Sequence, residues 1–131
     1  MSDINWVSVL GLKNESIEDL RFVGYSYLRQ GQFEIAIKIF NALVILTEDN
    51  VYDLQTLGAL YLQTGNNLLA LDYLEQALRK QPNDPKTLLN RIKVLFSLGY
   101  RRQAMAQAAK LAQYPDHKIA DQASALLLSH R

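Results

Sequence analysis

Residues 51–82 read VYDLQTLGALYLQTGNNLLALDYLEQALRKQP, and the spacing of the apolar residues in this stretch decides the fold. Leu54, Leu57, Gly58 and Tyr61 fall three or four residues apart, so on a helix they share one face. Gly65 breaks that helix, and Asn66 and Asn67 supply turn and N-cap chemistry. Ala70, Leu71, Leu74, Ala77 and Leu78 form a second apolar face before Pro82 closes the unit. Gly58 and Ala70 are small where two antiparallel helices must approach closely. The stretch therefore predicts a helical hairpin.

Outward from it the same grammar recurs. Residues 3–12, DINWVSVLGL, predict a short helix with Trp6, Val7 and Leu10 on one side. Trp6 is expected to pack over the open end of the unit that follows, the alternative being direct contact with a partner. Asn14 or Ser16 can cap the next helix, whose first turn carries Glu18 and Asp19 and which runs to about Gln30 before Gly31. The segment QFEIAIKIFNALVILTEDN then has apolar residues at 33, 36, 37, 40, 43, 44 and 46, a broad helical stripe. Beyond the central unit, Asn83, Asp84 and Pro85 start a helix in which Leu88, Leu89, Ile92, Leu95 and Phe96 carry the apolar face to Gly99. Ala104, Met105, Ala108, Ala109, Leu111 and Ala112 make the next stripe, and Pro115 stops it. The last segment, from His117 to Arg131, places Ile119, Ala120, Ala123, Leu126 and Leu127 on one face, as a capping helix would. Helix is expected over more than roughly two-thirds of the chain.

The interval is constant. Gly31, Gly65 and Gly99 are spaced by 34 residues, as are Ala36, Ala70 and Ala104, Gly24 and Gly58, and Tyr27 and Tyr61. With this small-and-aromatic signature at that period, residues 17–116 resemble the tetratricopeptide repeat. With Ile17, Val51 and Pro85 as first positions, the family's Leu falls on Leu20, Leu54 and Leu88. Its closing Pro falls on Pro82. The opening Trp of the family is missing from all three units, Glu48 stands where the first unit should close with Pro, and Ile92 and Leu95 replace the small residue and Tyr of the third. The resemblance implies an all-α fold: a right-handed α-solenoid of three helix-turn-helix units (17–50, 51–84, 85–116) with a concave groove. An N-terminal segment (1–16) precedes them and a capping helix (117–131) follows.

Composition narrows the function. The 131 residues carry 14 Lys and Arg against 13 Asp and Glu, a net charge of +1, so nothing electrostatic favours nucleic acid or an anionic membrane. Cysteine is absent, which removes disulfides and thiolate chemistry and suits a reducing compartment. MSDINWVSVLGLKNES lacks a basic region and a sustained apolar run, so it makes a poor signal peptide. No apolar stretch reaches the roughly 18 residues of a membrane helix. A soluble cytoplasmic protein is expected.

Catalytic chemistry is not in evidence in the sequence. His117 and His130 are thirteen residues apart with no third ligand in any metal-binding spacing. Phosphate-cradling glycine loops and the GxSxG elbow are absent. Glu34, Glu48, Asp72 and Glu75 are assigned to solvated surface. No enzyme, cofactor or metal is expected.

Binding remains. In stacked helix pairs the first helix of each unit lines the groove, and the family's groove positions fall on Glu18, Arg21, Phe22, Tyr25, Leu28 and Arg29 in the first unit. They fall on Tyr52, Gln55, Thr56, Ala59, Leu62 and Gln63 in the second, and on Lys86, Leu89, Asn90, Lys93, Phe96 and Ser97 in the third. Several are large and apolar where a monomer would meet water, the usual mark of a binding surface. For Phe22, Leu28 and Leu89 the alternative is cover by another helix of the same chain. The clamp that some relatives use for acidic chaperone tails is not reproduced, because Tyr25 and Thr56 stand where its Asn residues would. An amphipathic helix or an extended peptide with apolar anchors suits this groove better.

Size, repeat number, capping helix and groove character together resemble the small tetratricopeptide chaperones of bacterial type III secretion. The resemblance implies a cytoplasmic binding protein that holds a secreted component (needle subunit, translocator or export-gate associated protein) in its groove before export. The short length points toward the needle or export-gate type. A scaffold subunit of a stable assembly complex, and a homo-oligomer paired through the groove or the apolar helix 33–46, remain as alternative readings.

Overall fold

The structure, a computed structural model, describes residues 14–131. The short helix expected over 3–12, with Trp6, lies outside the described residues. The described chain folds into seven helices: α1 (Asn14–Arg29), α2 (Phe33–Leu46), α3 (Val51–Gln63), α4 (Asn67–Lys80), α5 (Pro85–Ser97), α6 (Arg101–Leu111) and α7 (His117–Ser129). Each packs against its neighbours in sequence; α3 also meets α5, and α5 meets α7. This is the stacking of an α-solenoid.

The turns inside the units are one device used three times. After α3, the amide of Asn66 donates to the Tyr61 carbonyl (2.9 Å) and that of Gly65 to Leu62 (3.1 Å), a Schellman closure. It needs a left-handed residue at its centre, and Gly65 has φ +82°. Gly31 and Gly99 close α1 and α5 with the same two bonds. Asn66 sits at the N-cap of α4 but does not cap it; its side-chain amide donates to Thr64 Oγ1 instead (3.1 Å). At the end of α2, where the closing Pro is missing, Glu48 and Asp49 take positive φ (53° and 62°), and Asp49 donates to the Val44 carbonyl (2.9 Å). The same closure is thus made there without glycine.

Side-chain caps stand instead at the starts of α3, α5 and α7, through Asn50, Asp84 and Asp116.

Packing follows the register. Ala36, Ala70 and Ala104 are fully buried. A Cβ added at Gly58 would lie 2.7 Å from Leu74 Cδ2, so glycine lets α3 and α4 meet closely. One core cluster joins the first two units around Phe40, Leu43, Leu54, Leu57 and Leu60. Another joins the third unit to α7 around Leu89, Ile92, Leu95, Ala104, Ala108, Ile119 and Ala123. Ala70, Leu74 and Val94 connect the two. Each fully buried large side chain is worth about 1.5–3 kcal/mol over its exposed state.

Candidate functional site

The first helices of the units line the inner face, and where α1 faces α3 their backbones stay apart. Cα atoms of α3 and α5 approach within 8 Å, whereas those of α1 and α3 do not. The wider joint is spanned by long side chains. Arg21 Nε donates to Asp53 Oδ1 (2.8 Å) and Nη2 to Oδ2 (2.9 Å), a two-pronged ion pair. Asp53 is wholly buried. Thr47 Oγ1 also donates to its Oδ2 (3.0 Å), and its own amide donates to Asn50 Oδ1 (3.2 Å). Arg21 further pairs with the exposed Glu18. Its bonds to Asp53 raise the guanidinium pKa still further above its ordinary value, against the effect of burial. Neither charge is left unpaired, which is the condition for keeping them out of water.

Aromatic rings stand on this base. Tyr25 meets buried Phe40 edge-on (5.9 Å between centroids, 87°) and lies 5.7 Å from the ring of Tyr52. Arg21 Cζ sits 5.9 Å from the centre of the Tyr52 ring, within cation–π range. Phe22, one position on, is 65% exposed. Glu18, Arg21, Phe22, Tyr25, Asn50 and Tyr52 line a hollow of about 510 Å³. Three rings with an amide and a carboxylate at the edge can receive an apolar anchor and hydrogen-bond the backbone beside it.

Of the expected groove residues, Arg21, Phe22, Tyr25 and Tyr52 are brought together here. Arg21 acts as the strut of the site, since its guanidinium is committed to Asp53 and Glu18. Gln55, Ala59 and Lys93 are half-buried further along the inner face; Arg29 and Gln63 are exposed at helix ends. Leu28 is half-buried against the first core cluster. Leu62 likewise packs against Ala70, Leu74 and Val94. Leu89 corrects the expectation: at 4% exposure it belongs to the core of the third unit, leaving no apolar surface for a ligand. Phe96 is covered by the His130 ring, stacked at 3.8 Å and 14°, while Arg101 Nε donates to the His130 carbonyl (2.9 Å). Thr56, also expected in the groove, is buried. Glu75, expected in solvent, is bonded to Arg91 (2.7 Å).

Asp53 and Asn50 were not among the expected site residues. Asn50 caps the start of α3 in the structure, and Asp53 lies 32 residues from its arginine, so local spacing carries no signal for the pair. Among the described residues no cluster of three or more His, Cys, Asp or Glu could hold a metal ion.

Residues 54–84 match the family model described as tetratricopeptide repeat. Those residues span most of the central helical hairpin, with its Gly58 contact, its glycine turn and its closing Pro82. That stretch carries one tetratricopeptide repeat. Solved structures with this fold extend the likeness over nearly its whole length. A type III secretion complex from Aeromonas hydrophila superposes with a TM-score of 0.82 at 22% identity, covering 95% of this chain and 86% of that one. The Yersinia enterocolitica translocator chaperone SycD gives 0.78 at 19% identity, covering 94% and 96%. PcrH of Pseudomonas aeruginosa, in complex with the chaperone-binding region of PopD, gives 0.79 at 26% identity, covering 92% and 94%. No curated protein matches the chain by sequence. The chain is thus similar in fold to type III secretion chaperones, and none of its described helices is long and apolar enough to cross a membrane.

Proposed function

We propose that this protein is a non-enzymatic chaperone that holds an apolar helical or extended segment of a type III secretion component against its inner face before export. The observation that carries this reading is the hollow between α1 and α3, where Phe22 and Tyr52 are exposed on a base fixed by Arg21 and Asp53. Phe22, Tyr25 and Tyr52 form a contiguous aromatic patch around that hollow, and clustered apolar exposure, unlike a single exposed ring, marks an interaction surface. The likeness to PcrH, crystallised with the chaperone-binding regions of PopD and PopB, supports a secreted component as the occupant. SycD with a peptide of YopD supports it too.

The occupant's chemistry follows from the lining. Its anchor is an aliphatic or aromatic side chain seated among Phe22, Tyr25 and Tyr52, with Gln55, Ala59 and Gln63 meeting the segment further along. Such a segment, free, would self-associate through its apolar face, and burial in the groove keeps it apart from its copies. A cytoplasmic location before export belongs to the same reading.

Co-expression with candidate needle, translocator and export-gate proteins tests it. One of them should copurify, Tyr52→Ala should weaken the complex, and export should release the chaperone. A complex that survives export intact identifies a scaffold subunit instead. Should neither Phe22→Glu nor Tyr52→Ala weaken the partner's retention, the α1–α3 hollow is not the site.

A further inference from the structure

A second cavity lies between α4, α5 and α6, and no part of the proposed function uses it. It measures about 590 Å³ and is bounded by Glu75, Leu78, Leu88, Arg91, Ile92, Gln107, Lys110, Leu111 and Tyr114, with Asn83 at the turn. The 34-residue register explains why it is open. In the joint between the first and second units, the corresponding place is filled. There Leu57 is fully buried, Tyr61 and Tyr73 stack at 5.7 Å and 13°, and Asn41 Nδ2 donates to the Tyr61 hydroxyl (3.0 Å). One register on, those four positions hold Arg91, Leu95, Gln107 and Glu75. The aromatic seal is gone and a polar chain stands in its place: Arg91 Nε donates to Glu75 Oε1 (2.7 Å) and Nη1 to Gln107 Oε1 (2.6 Å).

This replacement leaves donors to spare. Arg91 Nη2 has no acceptor among the described residues, and no buried side-chain nitrogen there lacks a partner, so Nη2 is accessible to solvent on a residue that lines the cleft. Lys110 is exposed at the rim and Tyr114 half-buried beside it. Glu75 is the sole carboxylate of the lining and is already paired with Arg91. The cleft therefore carries one cation more than its anions, beside the half-buried Leu78 and Leu88, with the buried Ile92 and Leu111 beneath them. Guanidinium and ammonium donors beside aliphatic side chains complement a carboxylate adjoining an apolar group.

We infer that the cleft between α4, α5 and α6 is a second docking site, for an acidic–aliphatic peptide segment of a protein partner, whose carboxylate meets Arg91 and Lys110 while its apolar side chain enters over Leu88 and Leu111. It is separate from the α1–α3 hollow, sharing no lining residue with it. One partner segment can be held on each face at the same time.

The test is a methyl and aromatic NMR titration of the full chain with two synthetic probes. One is the acetylated hexapeptide Leu-Glu-Leu-Leu-Asp-Leu with a free carboxyl terminus. The other has Gln, Asn and a terminal amide in place of every carboxylate. Saturable shifts are expected at Leu88, Ile92, Leu111 and Tyr114 with the acidic peptide, and none at Tyr25 or Tyr52. The neutral peptide should bind at least about tenfold more weakly, and Lys110→Glu, at an exposed position that leaves the fold intact, should weaken the acidic one about fivefold. Equal binding of the two peptides, shifts confined to Tyr25 and Tyr52, or no saturable shift would each overturn the inference.

Discussion

The joint between the first and second units and the joint between the second and third are built on one register and open on opposite faces. At the first, the inner side is wide, spanned by Arg21–Asp53 and Tyr25–Tyr52, and the outer side is sealed by Tyr61 and Tyr73. At the second, the inner positions equivalent to Arg21, Asp53, Tyr25 and Tyr52 are Gln55, Thr87, Ala59 and Lys86. Thr87 is buried and bonded to Asp84 of its own helix start (Oγ1 to Oδ2, 2.6 Å), and the α3 and α5 backbones close up. The outer side opens in exchange. A solenoid must bury the apolar stripes that hold its units together, but which face keeps a hollow depends on a handful of side chains at fixed positions.

The comparison breaks most readily at the buried ion pair. Asp53→Ala leaves the half-buried Arg21 with only the exposed Glu18 as counter-charge and should cost about 3 kcal/mol in denaturant unfolding. Glu75→Ala at the second joint, whose carboxylate is 37% exposed, should cost less than about 1 kcal/mol. Equal losses would mean that the two polar links do the same structural work.

The turn device is common to all three units. Gly65→Val should cost roughly 1–3 kcal/mol, with similar losses at Gly31 and Gly99, because each holds a left-handed φ with open space around it and backbone strain is the whole effect. A much larger loss at one of them would place a packing role there.

The joints can also be made alike. Transplanting the first seal onto the second, with Glu75→Asn, Arg91→Leu, Leu95→Tyr and Gln107→Tyr together, should raise stability by about 1 kcal/mol through the stacked pair. The same change should close the outer cleft. A drop in melting temperature would show that the third unit holds its helices at a different spacing.

Smaller still is a pH effect confined to the first joint. Burial, with Tyr61 alongside, pushes the Tyr73 hydroxyl above its ordinary value. The unfolded chain therefore releases that proton first, so this contribution is fully present below about pH 10 and is lost as pH rises through the folded value. Tyr73→Phe should flatten the alkaline limb of the stability curve; an unchanged limb removes Tyr73 from the account. The smallest stability change is expected at Phe22→Ala, within about 0.5 kcal/mol by thermal melting, since the ring is mostly in water. Loss of partner retention with helicity intact would separate ligand contact from core at the first joint.

Much of the architecture was legible in one dimension. Gly31, Gly65 and Gly99 mark the turns because a left-handed residue is a local requirement, and Ala36, Ala70 and Ala104 mark the close approaches because volume is a property of the residue itself. Leu54, Leu57 and Leu74 announce their burial by helical spacing, and the structure buries all three completely. The candidate site was legible only in outline. Phe22, Tyr25 and Tyr52 could be placed on the inner face from the repeat, but not their common base.

The sequence by itself determined the repeat, its period, the helix ends and the apolar stripes, since all of these follow from neighbours within a turn or two of helix. Only the tertiary structure decided which inner-face positions are free. Leu89 and Phe22 both hold groove positions of the repeat; one is sealed into the third unit's core and the other stands in water. Asp53 pairs with an arginine 32 residues away, and His130 reaches back over Phe96. Burial and ion pairing depend on what the stacked units bring across the joint, and that distance is set by packing rather than by the chain's own order.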